Sequence, residues 1–404
     1  MNKKEVVIVS GVRTAVGTFG GSLKNHTPAQ LGAAVVAESV RRAGIDADAV
    51  GHCVIGNVIH TEAQDMYISR VVALNGGLHH NTPAVTVNRL CGSGMQAIIT
   101  AAQQIELGIC HTAVAGGVEV MSKGGYLATG ARFGNRLGDG KLIDMMLAAL
   151  HCPIEHCHMG ITAENIAEKW SISREQQDVF SLTSHQRAQN AIQRGYFKSQ
   201  ILPIELPIKA RGKKGGALKG NGFFEQDEHV RFDARLEDLA KLKPVFKEDG
   251  MVTPGNASGI NDGAAAMVLM ERERCESNGL TPRAKLVKYA YAGVEPKYMG
   301  IGPVPAVKNL FEGTDFTVKD IDLWEVNEAF AAQAIAVARE LDIPAEKLNP
   351  NGSGISLGHP VGATGVIISE KAISELERTG GRYAVVTMCI GGGQGIAALF
   401  EREG

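Results

Sequence analysis

Charge of a single sign is what this sequence has least of. Lys and Arg number 41 against 43 Asp and Glu, a net of −2 over 404 residues. Nothing in that balance draws the chain to nucleic acid or to an anionic membrane, and neither is expected as a partner. Long apolar runs are missing too: no uninterrupted stretch approaches the ~20 residues of a membrane span. Strand-like Val6-Val7-Ile8-Val9 follows Met1 so closely that no signal or transit peptide is expected. None of the seven cysteines forms a Cys-x-x-Cys, and no His/Cys spacing suggests a zinc ribbon. Their odd number and irregular spacing fit a reducing compartment better than a disulfide framework, so a cytoplasmic location is expected. Aromatics are scarce at 5%, whereas glycine is plentiful at 49, as in an α/β enzyme with many tight turns.

Strand and helix signals alternate through the first half. Segments 5–10, 53–56, 83–87 and 112–115 read as strands, and 29–43, 66–74 and 95–105 as helices. Such alternation predicts a mostly parallel sheet with helices on both faces. The last third repeats the order, with strands at 284–291, 321–326, 383–388 and 395–400 and helices at 304–311, 329–341 and 366–378. An offset of about 270 positions pairs Asn57 with Asn327 and Gly92 with Gly362. A period that long is a tandem duplication of a whole unit, not a solenoid repeat.

The two copies differ by an insertion. In the second copy the final strand follows within a few residues of Met388. Its first-copy equivalent, from Ala264 to Met270, is delayed by a long segment. The expected organisation is therefore a first half at 1–120 completed by 252–274, an inserted loop region at 121–251, and a second half at 275–404. Within the insert, 161–170 and 174–194 read as helices. The basic run Lys209-Ala210-Arg211-Gly212-Lys213-Lys214 reads as a solvated loop.

Chemistry gathers at four loops, which the duplication would bring to one crevice at the strand ends. The first is Asn88-Arg89-Leu90-Cys91-Gly92-Ser93-Gly94-Met95. Its segment 83–87 reads as a buried strand, and Met95, Ile98, Ile99, Ala102 and Ile105 follow at helical spacing. Cys91 thus sits at a helix start, whose free N–H groups are expected to lower its pKa and to serve as an oxyanion site. Alone, such a cysteine is more often structural. In the third loop, Gly358-His359-Pro360-Val361-Gly362 sets a histidine among residues too small to bury it, an obvious base for a cysteine nucleophile. The fourth, Met388-Cys389-Ile390-Gly391-Gly392-Gly393, adds a second cysteine and flexible backbone without the spacing of a P-loop. In the second, Asn327-Glu328-Ala329-Phe330 opens a helix, with Asn327 readable as a plain N-cap.

These four motifs, with His158-Met159-Gly160 and Asn256-Ala257-Ser258-Gly259, resemble the thiolase family in order and spacing over essentially the whole chain. The resemblance implies two similar α/β halves in a five-layered αβαβα arrangement with a loop domain inserted in the first. It implies reversible condensation of two acetyl-CoA to acetoacetyl-CoA and thiolysis of short 3-ketoacyl-CoA. Cys91 matches the acylated cysteine, Cys389 the acid/base, His359 the activating base, and Asn327 the residue holding a water in an oxyanion hole. The N–H of Gly391 joins that of Cys91 in a second oxyanion site. His158, Met159, Ser258 and Phe330 match positions along the pantetheine and acyl channel, and Arg231 one near the nucleotide. No metal or redox cofactor is implied, coenzyme A and its esters being substrates, and a homotetramer is expected. Two rivals remain: a decarboxylating ketosynthase on a similar fold, which the second cysteine disfavours, and a non-catalytic acyl-CoA carrier, which retention of all four residues disfavours.

Overall fold

The computed structural model describes residues 4–206 and 222–404, so the basic run at 209–216 lies outside the described residues. Nine strands form the main path of one mixed sheet: β1 (Val6–Thr14), β2 (His52–Gly56), β3 (Ala84–Val87), β4 (Thr112–Val120), β5 (Asn261–Glu271), β6 (Ala284–Gly293), β7 (Leu323–Val326), β8 (Tyr383–Ile390) and β9 (Gln394–Arg402). Their order in space is β7-β8-β9-β6-β1-β5-β4-β2-β3. The helices that cover them are α1 (Pro28–Ala43), α2 (Ile68–Asn75), α3 (Ser93–Glu106), α6 (Pro303–Phe311), α7 (Ala331–Glu340) and α8 (Thr364–Thr379), while α4 (Met159–Lys169) and α5 (Arg174–Gln193) lie in the insert. Local chemistry sets their ends. In α1, Thr27 and Gln30 form a capping box, Pro28 opens the helix, and Gly44 closes it at φ +67°.

The duplication is visible in the ladders. Gly56 faces Gly117 between β2 and β4, and Val326 faces Thr387 between β7 and β8, both pairs parallel. Each half then departs from the expected parallel sheet in the same way. β5 threads between β1 and β4, and β9 between β6 and β8, each antiparallel to both neighbours. The returning strand follows its predecessor by hairpin-like geometry in the second half and after the insert in the first. A strand pattern alone does not distinguish that placement from a crossover.

Alternate side chains of each strand feed different cores. In β4, Val114 and Val118 pack outward with Leu31, Val36 and Val72 of α1 and α2. Ala113 and Ala115 face inward, toward Ile98 and Ile99 of α3 and Val366 and Ile373 of α8. On the far side, Val385 and Leu399 pack with Val304 and Leu310 of α6 and Val337 of α7. Three apolar cores between five layers result. The halves join through the short antiparallel contact Val7–Lys285 and Ile8–Ala284.

In the middle layer α3 and α8 meet backbone to backbone. A Cβ on Gly365 would lie 2.0 Å from the Met95 nitrogen, and one on Gly94 2.9 Å from the Val366 nitrogen. Only glycine permits that approach. It brings the loops that precede the two helices, carrying Cys91 and His359, side by side. One expectation fails here: β3 is not buried. It forms the sheet edge, with Val85 38% exposed, because an apolar run does not reveal whether a strand has a second neighbour.

Candidate active site

The four loops converge on a cavity of about 440 Å³, walled almost entirely by apolar groups. Cys91, His359 and Gly391 border it. The insert supplies His158, Met159, Arg231 and Phe246, Ser258 lies just past it, and Phe330 comes from the turn before α7. Asn327 and Cys389 do not border the cavity. Both are fully buried behind its wall, Cys389 within an apolar cluster that includes Met159, Ala257 and Phe330. Arg231 is exposed at the mouth.

Cys91 sits in a tightly wound turn. The Ser93 hydroxyl donates to the Leu90 carbonyl at 2.7 Å and accepts from the Arg89 N–H at 2.9 Å. Leu90 is held at φ +46°, a left-handed conformation costly for a leucine and typical of functional turns. The expected lowering of the Cys91 pKa does not occur. The residue is half-buried but its thiol is enclosed, and burial pushes it up to about 11, with the N–H groups of Gly391 and of Cys91 itself pulling the other way. The helix-start amides are already committed. Gly92 N–H donates to the Arg89 carbonyl and Ser93 N–H to that of Leu90. Two N–H groups do face the sulfur, an arrangement suited to an oxyanion that develops there. A Cβ on Gly391 would meet the Met159 methyl at 2.7 Å, so a larger residue here would displace that side chain from the cavity wall.

His359 is 5% exposed, against the expectation that its small neighbours would leave it open. The first half covers it: Asn261 of β5 accepts the His359 N–H at 2.9 Å. Burial lowers its pKa to about 4, so the imidazole is neutral near pH 7. Its tautomer follows from Thr364. That hydroxyl donates its proton to the Pro360 carbonyl at 2.9 Å and lies 2.6 Å from His359 Nδ1, which must then be the donor. Nε2 keeps its lone pair, 3.4 Å from Asn327 Nδ2.

Asn327 is not an N-cap. Helix α7 begins at Ala331 with Phe330 in the cap position, and the Asn327 side chain turns to His359 instead. Its Oδ1 is buried without a hydrogen-bond partner among the described residues, the situation of a group that orders a water. Cys389, at the end of β8, has its pKa raised by burial and by the nearby Cys91. His158 caps α4 by accepting the Gly160 N–H at 3.0 Å through Nδ1, which leaves Nε2–H as a donor. Its ring stacks on Phe246 with centroids 4.5 Å apart.

Sequence reasoning missed Phe246 and Thr364. Phe246 sits in no motif; only Gly160, whose Cβ would strike the Phe246 ring at 2.2 Å, hints at a bulky neighbour. Thr364 lies five residues past His359 and had a signal, since a hydroxyl at a helix start beside a histidine can fix its tautomer. Cys152 and Cys157 face each other in a hairpin of two-residue strands, and all seven cysteines are free thiols.

Known proteins resemble the chain along its whole length. Residues 6–273 match the thiolase N-terminal domain and 280–402 the thiolase C-terminal domain. The chain is 60% identical over 400 residues to beta-ketothiolase BktB of Cupriavidus necator, covering 99% of each protein. It superposes on the crystal structure of the Bacillus anthracis acetyl-CoA acetyltransferase with a TM-score of 0.94 at 45% identity, covering all of both chains. Human mitochondrial 3-ketoacyl-CoA thiolase in complex with CoA gives a TM-score of 0.94 at 40% identity, with 99% of this chain and 98% of that one covered. The chain belongs to the thiolase family.

Proposed function

We propose that this thiolase exchanges acyl groups between coenzyme A thioesters through an acyl group carried on Cys91. The observation that carries the reading is the floor of one apolar cavity, where Cys91, a neutral His359 and the Gly391 N–H meet with Cys389 close behind. In thiolysis, Cys91 Sγ bonds to C3 of a 3-ketoacyl-CoA as its proton passes to His359 Nε2. The C2–C3 bond breaks, and the electron pair left on C2 takes a proton from the Cys389 thiol, which releases acetyl-CoA. Free coenzyme A then gives its thiol proton to Cys389 and its sulfur takes the acyl group, while Cys91 recovers its proton from His359. Read backward, the same steps condense two acetyl-CoA to acetoacetyl-CoA.

Burial suits each group to its part. A thiol raised well above neutrality stays protonated until a carbanion needs it, and a histidine lowered to about 4 is always free to accept. Once His359 Nε2 has taken the Cys91 proton, it and a water held by Asn327 flank one position for a thioester oxygen. The N–H groups of Cys91 and Gly391 flank another. Removing a donor of this kind costs about 2.7–4 kcal/mol of transition-state stabilisation. The insert at 121–251 carries coenzyme A, with His158, Met159, Ser258, Phe246 and Phe330 along the channel and Arg231 toward the nucleotide. The human relative described in complex with CoA supports that reading.

The chain works as a homotetramer in the cytoplasm. The hairpin strands at 126–128 and 142–144 leave Tyr126, Leu142 and the intervening Phe133 and Leu137 exposed, the last two above 90%, and β3 offers a free edge. Seven free thiols suit a reducing compartment, and among the described residues no helix is long and apolar enough to cross a membrane.

Loss of acetoacetyl-CoA enolate absorbance on adding coenzyme A tests the reading, with wild type, Cys91→Ala and Cys389→Ala run together. Turnover confined to wild type is expected. Full activity in Cys91→Ala would overturn it, and tight binding of the ester without turnover in wild type would favour a carrier.

A further inference from the structure

The first half holds a counterpart of the catalytic centre that the reaction does not use. The register that sets Gly56 opposite Gly117 and Val326 opposite Thr387 makes Asn57 the equivalent of Asn327, and Glu119 the equivalent of Cys389. Glu119 is 0% exposed and does not border the cavity. Its Oε1 accepts from Asn57 Nδ2 at 3.2 Å and Ile59 N at 3.0 Å; its Oε2 accepts from Val58 N at 3.1 Å and Gly362 N at 2.9 Å. Burial pushes its carboxyl up to about 8. Each oxygen nonetheless faces two donors, so an added proton would point at an N–H, and the arrangement is that of a carboxylate.

One of the four bonds crosses between the halves. Gly362 lies three residues past His359, whereas Asn57, Val58 and Ile59 follow β2 of the half that carries Cys91. The junction has no slack: a Cβ on Gly362 would lie 2.5 Å from Glu119 Oε2, and one on Gly117 2.3 Å from the Gly362 carbonyl oxygen. Ile59, Val361, Val58 and Cys91 share one small apolar cluster beside this junction. The nucleophile and its base therefore come from different halves, and a buried anion ties together the loops around them.

We propose that Glu119 is a positioning residue. It locks the His359 loop of the second half onto the strand ends of the first and so fixes the reach of His359 to Cys91. This rests on reading Cys91 as nucleophile and His359 as base. Glu119 would contribute to turnover without touching substrate, by holding a geometry in which a displacement of about 1 Å costs on the order of 10²-fold in rate.

Glu119→Gln tests it. Glutamine has the same size, but its amide NH₂ would oppose two of the four N–H donors. The expected result is a folded protein whose kcat falls about tenfold to a hundredfold, with KM for acetoacetyl-CoA and for coenzyme A unchanged within about twofold. Inactivation by iodoacetamide at Cys91 should slow in parallel. Wild-type kcat and alkylation rate in folded E119Q would overturn the proposal, as would a rise in KM at constant kcat. If E119Q does not fold, Asn57→Ala, which removes one donor of four, decides. A loss of kcat of about threefold or more at constant KM supports the role, and unchanged kcat overturns it. Absence of thiolysis in the wild type would sink the catalytic reading alone, because the alkylation rates of wild type and variant would still report on the geometry.

Discussion

The Nδ1 of His359 lies 2.6 Å from a Thr364 hydroxyl whose one proton is already given to the Pro360 carbonyl. The pair fixes the histidine as the tautomer with a free Nε2, before any substrate enters. Thr364→Val keeps the shape and removes the acceptor. Since general-base catalysis contributes about 10²–10⁴-fold, kcat/KM should drop by at least about tenfold, and Thr364→Ser should restore most of it. Equal rates for the valine and serine variants would show that the ring orients itself by other means.

Cys91, raised to about 11, holds only about 10⁻⁴ of its thiol as thiolate at pH 7. Deprotonation grows with pH, so inactivation by iodoacetamide should quicken close to tenfold per unit between pH 7 and 9. An ion pair of thiolate and imidazolium would instead give a plateau through neutrality. The pH profile of alkylation, followed by mass spectrometry at Cys91, separates the two.

Gly365 has no room for a side chain, with the Met95 backbone nitrogen 2.0 Å from where a Cβ would stand. Gly365→Ala should therefore push α8 away from α3. Overpacking of this kind costs about 1–3 kcal/mol, readable as a lower midpoint in urea. Activity should fall further than the fraction unfolded, because the same shift separates His359 from Cys91. Wild-type kcat in the folded variant would contradict that coupling.

Lys371 of α8 and Glu325 of β7 form an ion pair at 3.0 Å with both side chains 0% exposed. Burial raises the Glu325 pKa to about 7 in spite of the lysine. Lys371→Met strands the carboxyl and should destabilise by about 3–5 kcal/mol, whereas Lys371→Met with Glu325→Leu should recover most of the loss. Urea melts of the three proteins give the coupling directly. A double variant no better than the single one would mean that the second lysine contact, to the Gly352 carbonyl, matters more.

Much of this was legible from the chain. The offset that pairs Asn57 with Asn327 reappears as identical ladder registers, and Cys91 falls where a short strand, glycines and helical spacing place it. Besides the strand at 83–87, read as buried and found at the sheet edge, three readings failed for physical reasons. The inward threading of β5 and β9 depends on long-range pairing that a strand pattern does not encode. The depressed pKa assumed for Cys91 overlooked burial and the prior commitment of the Gly92 and Ser93 amides to the turn. His359 was read as uncovered because its cover, Asn261, comes from the other half, 98 residues away in sequence. Phe246 makes its contribution through tertiary contacts and carries little local signal, whereas Thr364 acts on a histidine five residues before it.

The position of β5 also governs how the protein is made. Of these strands β1 emerges from the ribosome first, yet its end near Val6 pairs only with residues of 261–271 and 284–293, and only Arg13 and Thr14 meet an earlier strand, at 201–202. At about 5–20 residues per second, the strand waits roughly 13–50 s for β5. Throughout that interval its apolar Val6-Val7-Ile8-Val9 has no ladder partner on either side. An open strand of this kind invites pairing with other nascent chains. A transcript cut anywhere before residue 261 therefore yields a first half that cannot close its sheet, however complete its other strands and helices are. Synthesis speed through the insert, and whatever shields β1 meanwhile, therefore bear on the yield of folded enzyme.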